Sequence, residues 1–139
     1  MNNAAPLVMH ATAVAFGQTG LLITGKSGSG KSTLALQLIA IGAKLVADDR
    51  VEIIPQPEGG LFLSAPAPLF GLVEARGFGV IATEPVAAIA RAVIDLDTVE
   101  TKRIPDPKEI VIANETMRLI AKVESPAFPA MLRLDLAGY

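Results

Sequence analysis

Gly25-Lys26-Ser27-Gly28-Ser29-Gly30-Lys31-Ser32 reads G-x-x-x-x-G-K-S, and its flanks decide the fold. Leu21-Leu22-Ile23-Thr24 ahead of it is an apolar strand candidate. Thr33 to Ile41 behind it is a helix candidate ended by Gly42. Strand, glycine loop and helix follow in the order that a phosphate-binding loop requires. The glycines let the backbone curl until successive N–H groups face one anion, and the helix N-terminus adds partial positive charge. Lys31 is then placed for the β- and γ-phosphates of a nucleotide, and the Ser32 hydroxyl for Mg²⁺. A glycine-rich turn that merely caps a helix is the alternative; the flanking strand and helix favour the phosphate site.

Composition bounds the rest. A chain of 139 residues is expected to fold as one domain, residues 1–139, with a real core. Hydrophobic residues make up 51% and the mean hydropathy is +0.48. No run reaches the roughly 18 apolar residues of a membrane span, so no membrane role is expected. The apolar excess fits an Ala- and Val-rich core and a surface covered by another subunit equally well; a homo-oligomer is expected. A net charge of −2 without a basic run gives no nucleic-acid surface. The absence of cysteine excludes disulfides, thiolate metal sites and a thiol nucleophile. Lys26 is the first basic residue, so a secretory signal is not expected and a cytoplasmic location is.

Leu7 to Phe16 alternates loosely and reads as a first strand carrying His10, turned at Gly17 to Gly20 into a hairpin with Leu21 to Thr24. A lone histidine is more often structural than catalytic; proximity to the loop narrows that gap. The helix after Lys31 is apolar nearly all round, with Gln37 its strongly polar residue, and is expected to be central and buried. Lys44 to Ala47 is a short buried strand that ends in Asp48-Asp49. A carboxylate at such a strand end either holds Mg²⁺ through water or takes the proton of an attacking hydroxyl. Adjacent strand residues face opposite sides, so the two aspartates are expected to do different jobs. A polar turn is the plainer alternative.

Arg50 to Pro55 and Leu61 to Ala65 read as a hairpin, and Ala65-Pro66-Ala67-Pro68 as a break. From Leu69 to Ile81 the chain is apolar except for Glu74 and Arg76, which form either a buried ion pair or part of a site. Arg91 to Leu96, Ile110 to Ala113 and Met117 to Val123 read as strands, the last two joined at Asn114-Glu115. A terminal helix is expected over Ala130 to Leu136. Hairpins outnumber crossovers, which predicts an α/β fold with a mixed sheet.

Four stretches together resemble the catalytic domain of HPr kinase/phosphorylase. They are His10, Gly25 to Ser32, Leu45 to Asp49 with Val51-Glu52-Ile53, and Leu72-Val73-Glu74-Ala75-Arg76-Gly77-Phe78-Gly79-Val80-Ile81. The last resembles the family's signature segment, with Glu74, Arg76, Gly77 and Gly79, and is more specific than the phosphate loop. The resemblance spans residues 10–82 and implies a fold related to phosphoenolpyruvate carboxykinases. It implies that Gly25, Lys26, Ser27, Gly28, Ser29, Gly30, Lys31 and Ser32 bind ATP, that Lys31 and His10 belong to the active site, and that Ser32 and Glu74 hold Mg²⁺. Asp49 would be the proton acceptor, with Asp48 beside it; Arg76 receives no role.

The resemblance also implies a seryl residue of an HPr-type phosphocarrier as acceptor, and hexamers occur in the family. The early first strand is similar to a short proteobacterial form without the usual N-terminal domain. A Pro- and Arg-containing segment linked to dephosphorylation has no arginine counterpart around Ala121 to Pro126, which weighs against phosphorolysis. A small-molecule kinase or ATPase and a non-catalytic nucleotide sensor are the other readings. Little room for a separate acceptor pocket counts against the first, and intact Lys31, Ser32 and Asp49 against the second.

Overall fold

The computed structural model describes residues 6–66 and 71–136; the stretch 67–70, including Leu69-Phe70, lies outside them. The strand that feeds the glycine loop is β3 (Thr19–Thr24). It pairs antiparallel with β2 (Thr12–Phe16) and parallel with β9 (Ala88–Val99). The expected hairpin is present, but the single strand expected over Leu7 to Phe16 is two. β1 (Leu7–Met9) pairs with β5 (Val51–Pro55), whereas β2 pairs with β3 and β4 (Lys44–Ala47). His10 stands at the bend between them and not on a strand. Burial explains the break: β1 is an edge strand with an exposed start, while Thr12 to Ala15 are buried at every position.

The main sheet runs β1-β5-β6-β9-β3-β2-β4, where β6 is Leu61–Ser64. β9 pairs with β6 at its start and with β11 (Glu115–Lys122) further along, both opposite β3; β10 (Glu109–Ile112) completes a hairpin on β11. That hairpin turns at Ala113-Asn114, one residue earlier than expected, because both take positive φ (50° and 65°), as a two-residue hairpin turn demands. The sheet is mixed, as expected. β3, β9 and β11 run parallel, and β4 shares their direction through the antiparallel β2. The C-terminal ends of four strands therefore share one edge, where open α/β sheets place their ligands.

Period-2 alternation divides the core. Ala13, Ala15, Leu22 and Val93 face one side, and Val14, Leu21, Ile23, Ala92 and Ile94 the other. The second side is covered by α1 (Lys31–Ala40) through Leu34, Ala35 and Leu38, and by α2 (Phe128–Leu136) through Phe128, Leu132 and Leu136. The first side closes on the sheet itself. β4 touches β6 although three strands separate them in the order, so the twisted sheet coils around a core that includes Val46, Ile53 and Leu63.

One expectation fails at α1. It lies centrally, but only one stripe is buried, and Thr33, Gln37 and Ala40 are exposed. Alanines counted as apolar in the sequence bring little area to bury, so one covered face suffices. The segment after residue 70 forms a separate hairpin of β7 (Leu72–Ala75) and β8 (Gly79–Ala82). Val73 and Ala75 point inward, so Glu74 points out; Glu74 and Arg76 are exposed, which removes the buried ion pair. The terminal helix begins at Phe128, before Pro129, a residue tolerated in a first turn. Among the described residues no helix is long and apolar enough to cross a membrane.

Ile94 on β9 is fully buried and Phe78 at the β7–β8 tip is 84% exposed. Ile94→Ala is expected to cost about 2–5 kcal/mol in urea denaturation. Phe78→Ala is expected to stay within about 0.5 kcal/mol of the parent.

Candidate active site

The loop Gly25–Gly30 leaves β3 and turns into α1 at the shared strand edge. Gly25 has φ 154°, and a Cβ there would stand 2.4 Å from Ser29 Oγ, so only glycine fits. Gly30 caps α1 at φ 104°, with no side-chain cap and no acidic residue in the first turn. The start of the helix thus carries no side-chain cap of its own, an arrangement suited to an anion. The Lys26 N–H donates to both carboxylate oxygens of Asp97 (3.2 and 3.0 Å), which ties the loop to β9. Lys31 is 9% exposed, and its Nζ donates to the carbonyls of Gly25 (2.7 Å) and Lys26 (3.0 Å). The cation is held at the loop by the loop's own backbone.

Asp48 follows β4 and is buried. Its Oδ1 accepts from Ser32 Oγ (2.8 Å) and Thr12 Oγ1 (3.0 Å), and its Oδ2 accepts from the Glu74 N–H (3.2 Å). Three donors satisfy a carboxylate that burial would otherwise penalise.

Asp49 has the opposite character. Its φ of 72° is in the left-handed region that aspartate tolerates, and the turn carries the side chain outward to 57% exposure. The two aspartates do point apart, as expected, but through this bend and not through strand alternation, since β4 ends at Ala47. His10 Nε2 lies 3.2 Å from Asp49 Oδ1, and its Nδ1 3.3 Å from the Asp49 carbonyl oxygen. Both neighbours are acceptors, so a ring N–H on either side finds a partner at Asp49.

A cleft of about 230 Å³ gathers these groups. His10, Ser27, Gly28, Gly30, Lys31, Ser32, Asp48, Asp49, Glu74 and Arg76 line it, whereas Gly25, Lys26 and Ser29 form the back of the loop. Gly77 and Gly79, both at positive φ, shape the tip of the hairpin that presents Glu74 and Arg76. Thr12 and Asp97 carry structural duties here that the sequence reading passed over. For Asp97 a signal existed: Asp95-Leu96-Asp97 closes an apolar strand run just as Asp48-Asp49 does. Thr12 gave none, being one more residue of a strand.

Ser32, Asp48 and Glu74 offer hard oxygen donors, the set that suits Mg²⁺. Among the described residues no three His, Cys, Asp or Glu gather into a metal cage.

Comparisons with known proteins give the chain's family and fold. The family described as HPr Serine kinase C-terminal domain matches residues 2–101. A protein of Levilactobacillus brevis named HPr kinase/phosphorylase is 42% identical over 93 residues, 66% of this chain and 30% of the relative. A protein of that name from a Geobacillus species is 51% identical over 73 residues, 52% of this chain and 24% of its own. The chain thus spans under a third of the length of these relatives. A solved structure described as the Hpr(Ser) kinase/phosphatase from Coxiella burnetii shares the fold with a TM-score of 0.76. It is 22% identical, and the match covers 95% of each chain. With 100 of its 139 residues inside the family match, the chain belongs to the HPr serine kinase C-terminal domain family.

Proposed function

We propose that this chain is one catalytic unit that transfers the γ-phosphoryl group of ATP to a seryl hydroxyl of an HPr-type phosphocarrier protein. The observation that carries this reading is the exposed Asp49 carboxylate in one cleft with Lys31, Ser32 and Asp48. The names of the relatives supply the acceptor. In the transfer, the seryl oxygen forms a bond to the γ-phosphorus, the bond to the β–γ bridging oxygen breaks and ADP leaves. The seryl proton passes to an Asp49 oxygen. Phosphoryl transfer asks for position and charge neutralisation more than for covalent help from the protein.

Each residue follows from its surroundings. Gly25 to Ser32 form the loop around the phosphates and turn the N–H groups of its cleft side toward them, and Lys31 gives a cation. The Lys26 N–H is held by Asp97, and the Ser29 N–H by the Lys26 carbonyl. Ser32 and Glu74 would hold Mg²⁺, which would supply neutralisation of phosphate charge. Asp48 takes the Ser32 hydroxyl proton in a hydrogen bond, which leaves the Ser32 lone pairs free for the ion. With three donors already on it, Asp48 is poorly placed to be the base, so that role goes to Asp49. His10 fixes the Asp49 carboxylate by its paired contacts, and Arg76 adds a second cation at the cleft.

Phosphorolysis is the other activity in the relatives' names; the absence of arginine around Ala121 to Pro126 favours the kinase direction. A pure nucleotide sensor would have no use for an exposed carboxylate facing the phosphate loop. A homo-oligomer is part of this reading, and the family's hexamer is one form of it. The reading includes a cytoplasmic setting and kinship with phosphoenolpyruvate carboxykinases, which the phosphate loop on a coiled mixed sheet supports.

Asp49→Asn is expected to lower phosphate incorporation into HPr by about 10²–10⁴-fold, read by mass, with ATP binding retained. A rate within about twofold of the parent removes Asp49 as base. Stability separates the neighbours. Asp48→Ala strands the Thr12 hydroxyl and the Glu74 N–H and is expected to cost about 1–3 kcal/mol in urea denaturation. Asp49→Asn, at an exposed position, is expected to stay within about 0.5 kcal/mol.

A further inference from the structure

Pairing between β3 and β9 ends at Thr24 opposite Asp95, where the Thr24 hydroxyl adds a bond to the Ile94 carbonyl (2.8 Å). Past that point the chain turns away from the sheet through Gly25. It is still so close to β9 that a Cβ on Gly25 would stand 3.2 Å from Leu96 Cβ. The next N–H, of Lys26, lies beyond the paired backbone. It donates to the Asp97 carboxylate, at the same offset of 71 residues that sets Thr24 against Asp95. A side chain has taken over from a backbone carbonyl and carries the attachment one step further. The carboxylate is itself held in place. The Asp97 N–H donates to Asp95 Oδ1 (2.9 Å) and the Thr98 hydroxyl to Asp95 Oδ2 (2.7 Å), a turn of the kind aspartate builds on its own backbone.

We infer that Asp97 is a positioning residue for phosphate binding, acting through the Gly25–Lys26 peptide on Lys31. This role rests on the ATP reading above and deepens it. The N–H of that peptide goes to Asp97. Its carbonyl, on Gly25, accepts from Lys31 Nζ at 2.7 Å. A trans peptide is planar, with N–H and C=O pointing opposite ways, so a carboxylate that fixes one end fixes the other. The chain of contacts from Asp97 to the ammonium is therefore continuous. The following carbonyl, of Lys26, takes the same ammonium (3.0 Å) and the Ser29 N–H (3.0 Å), which sets the curl of the loop. Glycine on one side of the peptide imposes little preference of its own, so without Asp97 the plane is free to rotate. Charge gives no other reason for an acid here. A carboxylate beside a phosphate loop opposes the phosphates, weakly at an exposed position, so what Asp97 contributes is geometry. A loop left free has to be ordered by the ligand, and that cost falls on affinity and not on the chemical step.

The test uses the full chain with Asp97→Ala, which removes the acceptor, and Asp97→Asn, which keeps an acceptor oxygen without the charge. Asp97→Ala is expected to raise the KM for Mg-ATP in transfer to HPr about tenfold and to leave kcat within about twofold. Asp97→Asn is expected to restore KM to within about twofold of the parent. In the nucleotide-free chain, hydrogen exchange at the Lys26 amide is expected to quicken in Asp97→Ala and to return to the parent's rate in Asp97→Asn. An unchanged KM in Asp97→Ala overturns the role. So does a fall in kcat at constant KM, or an asparagine variant as impaired as the alanine one. A parent that binds Mg-ATP in calorimetry but transfers nothing to HPr overturns the kinase reading alone; the variants' Mg-ATP affinities then decide the role of Asp97 in the same sense as KM. A parent that binds no Mg-ATP overturns the nucleotide reading and this role with it.

Discussion

The carboxylate of Asp48 is the constraint on which the site depends. It joins the start of β2 through Thr12, the start of α1 through Ser32 and the β7–β8 hairpin through the Glu74 amide. These pieces come from positions 12, 32 and 74 of the chain, so no local preference could bring them together. A buried charge has to be met by donors, and donors that meet it acquire fixed positions. The hub therefore orients the residues around it besides tolerating its own burial. Without it the hairpin that presents Glu74 and Arg76 is secured by Val73 and Ala75 packed toward α1 and by its own ladder.

Around that hub the site divides labour by exposure. Asp48 is enclosed and fully bonded, which suits it to holding a hydroxyl in place. Asp49 is open to solvent with histidine on one side, which leaves it free to meet an incoming group. A cavity on the other side of the loop is mixed, with Leu34, Leu96 and Phe128 beside Lys122 and Glu124. Both follow from the direction of β3, β4, β9 and β11, whose ends deliver loops of different composition to a common edge.

Much of this was legible in the sequence because the relevant signals were local. The glycine loop between β3 and α1 declared itself through its spacing and its flanking strand and helix, and the hairpins through turn residues. Asp48-Asp49 stood out as charge at the end of an apolar run. What escaped depended on tertiary partners. The split at His10 arises because β1 and β2 serve distant parts of the sheet, a choice that alternation cannot encode. Thr12 is indistinguishable from any strand threonine until Asp48 arrives beside it. The solvent face of α1 was misread because alanine scores as apolar whether or not anything covers it. Glu74 and Arg76 stayed ambiguous in a stretch whose hairpin proved to lie outside the main sheet.

The left-handed backbone at Asp49 has a further consequence for how this position can vary over evolutionary time. Glycine, asparagine and aspartate are the residues at home there; a longer acid such as glutamate would bring the right charge to a backbone that resists it. Shape and chemistry therefore narrow the choice independently, and aspartate alone satisfies both. Drift away from the acid is channelled toward asparagine or glycine, so a degenerate copy of this domain would keep its contour after losing the base proposed at this position.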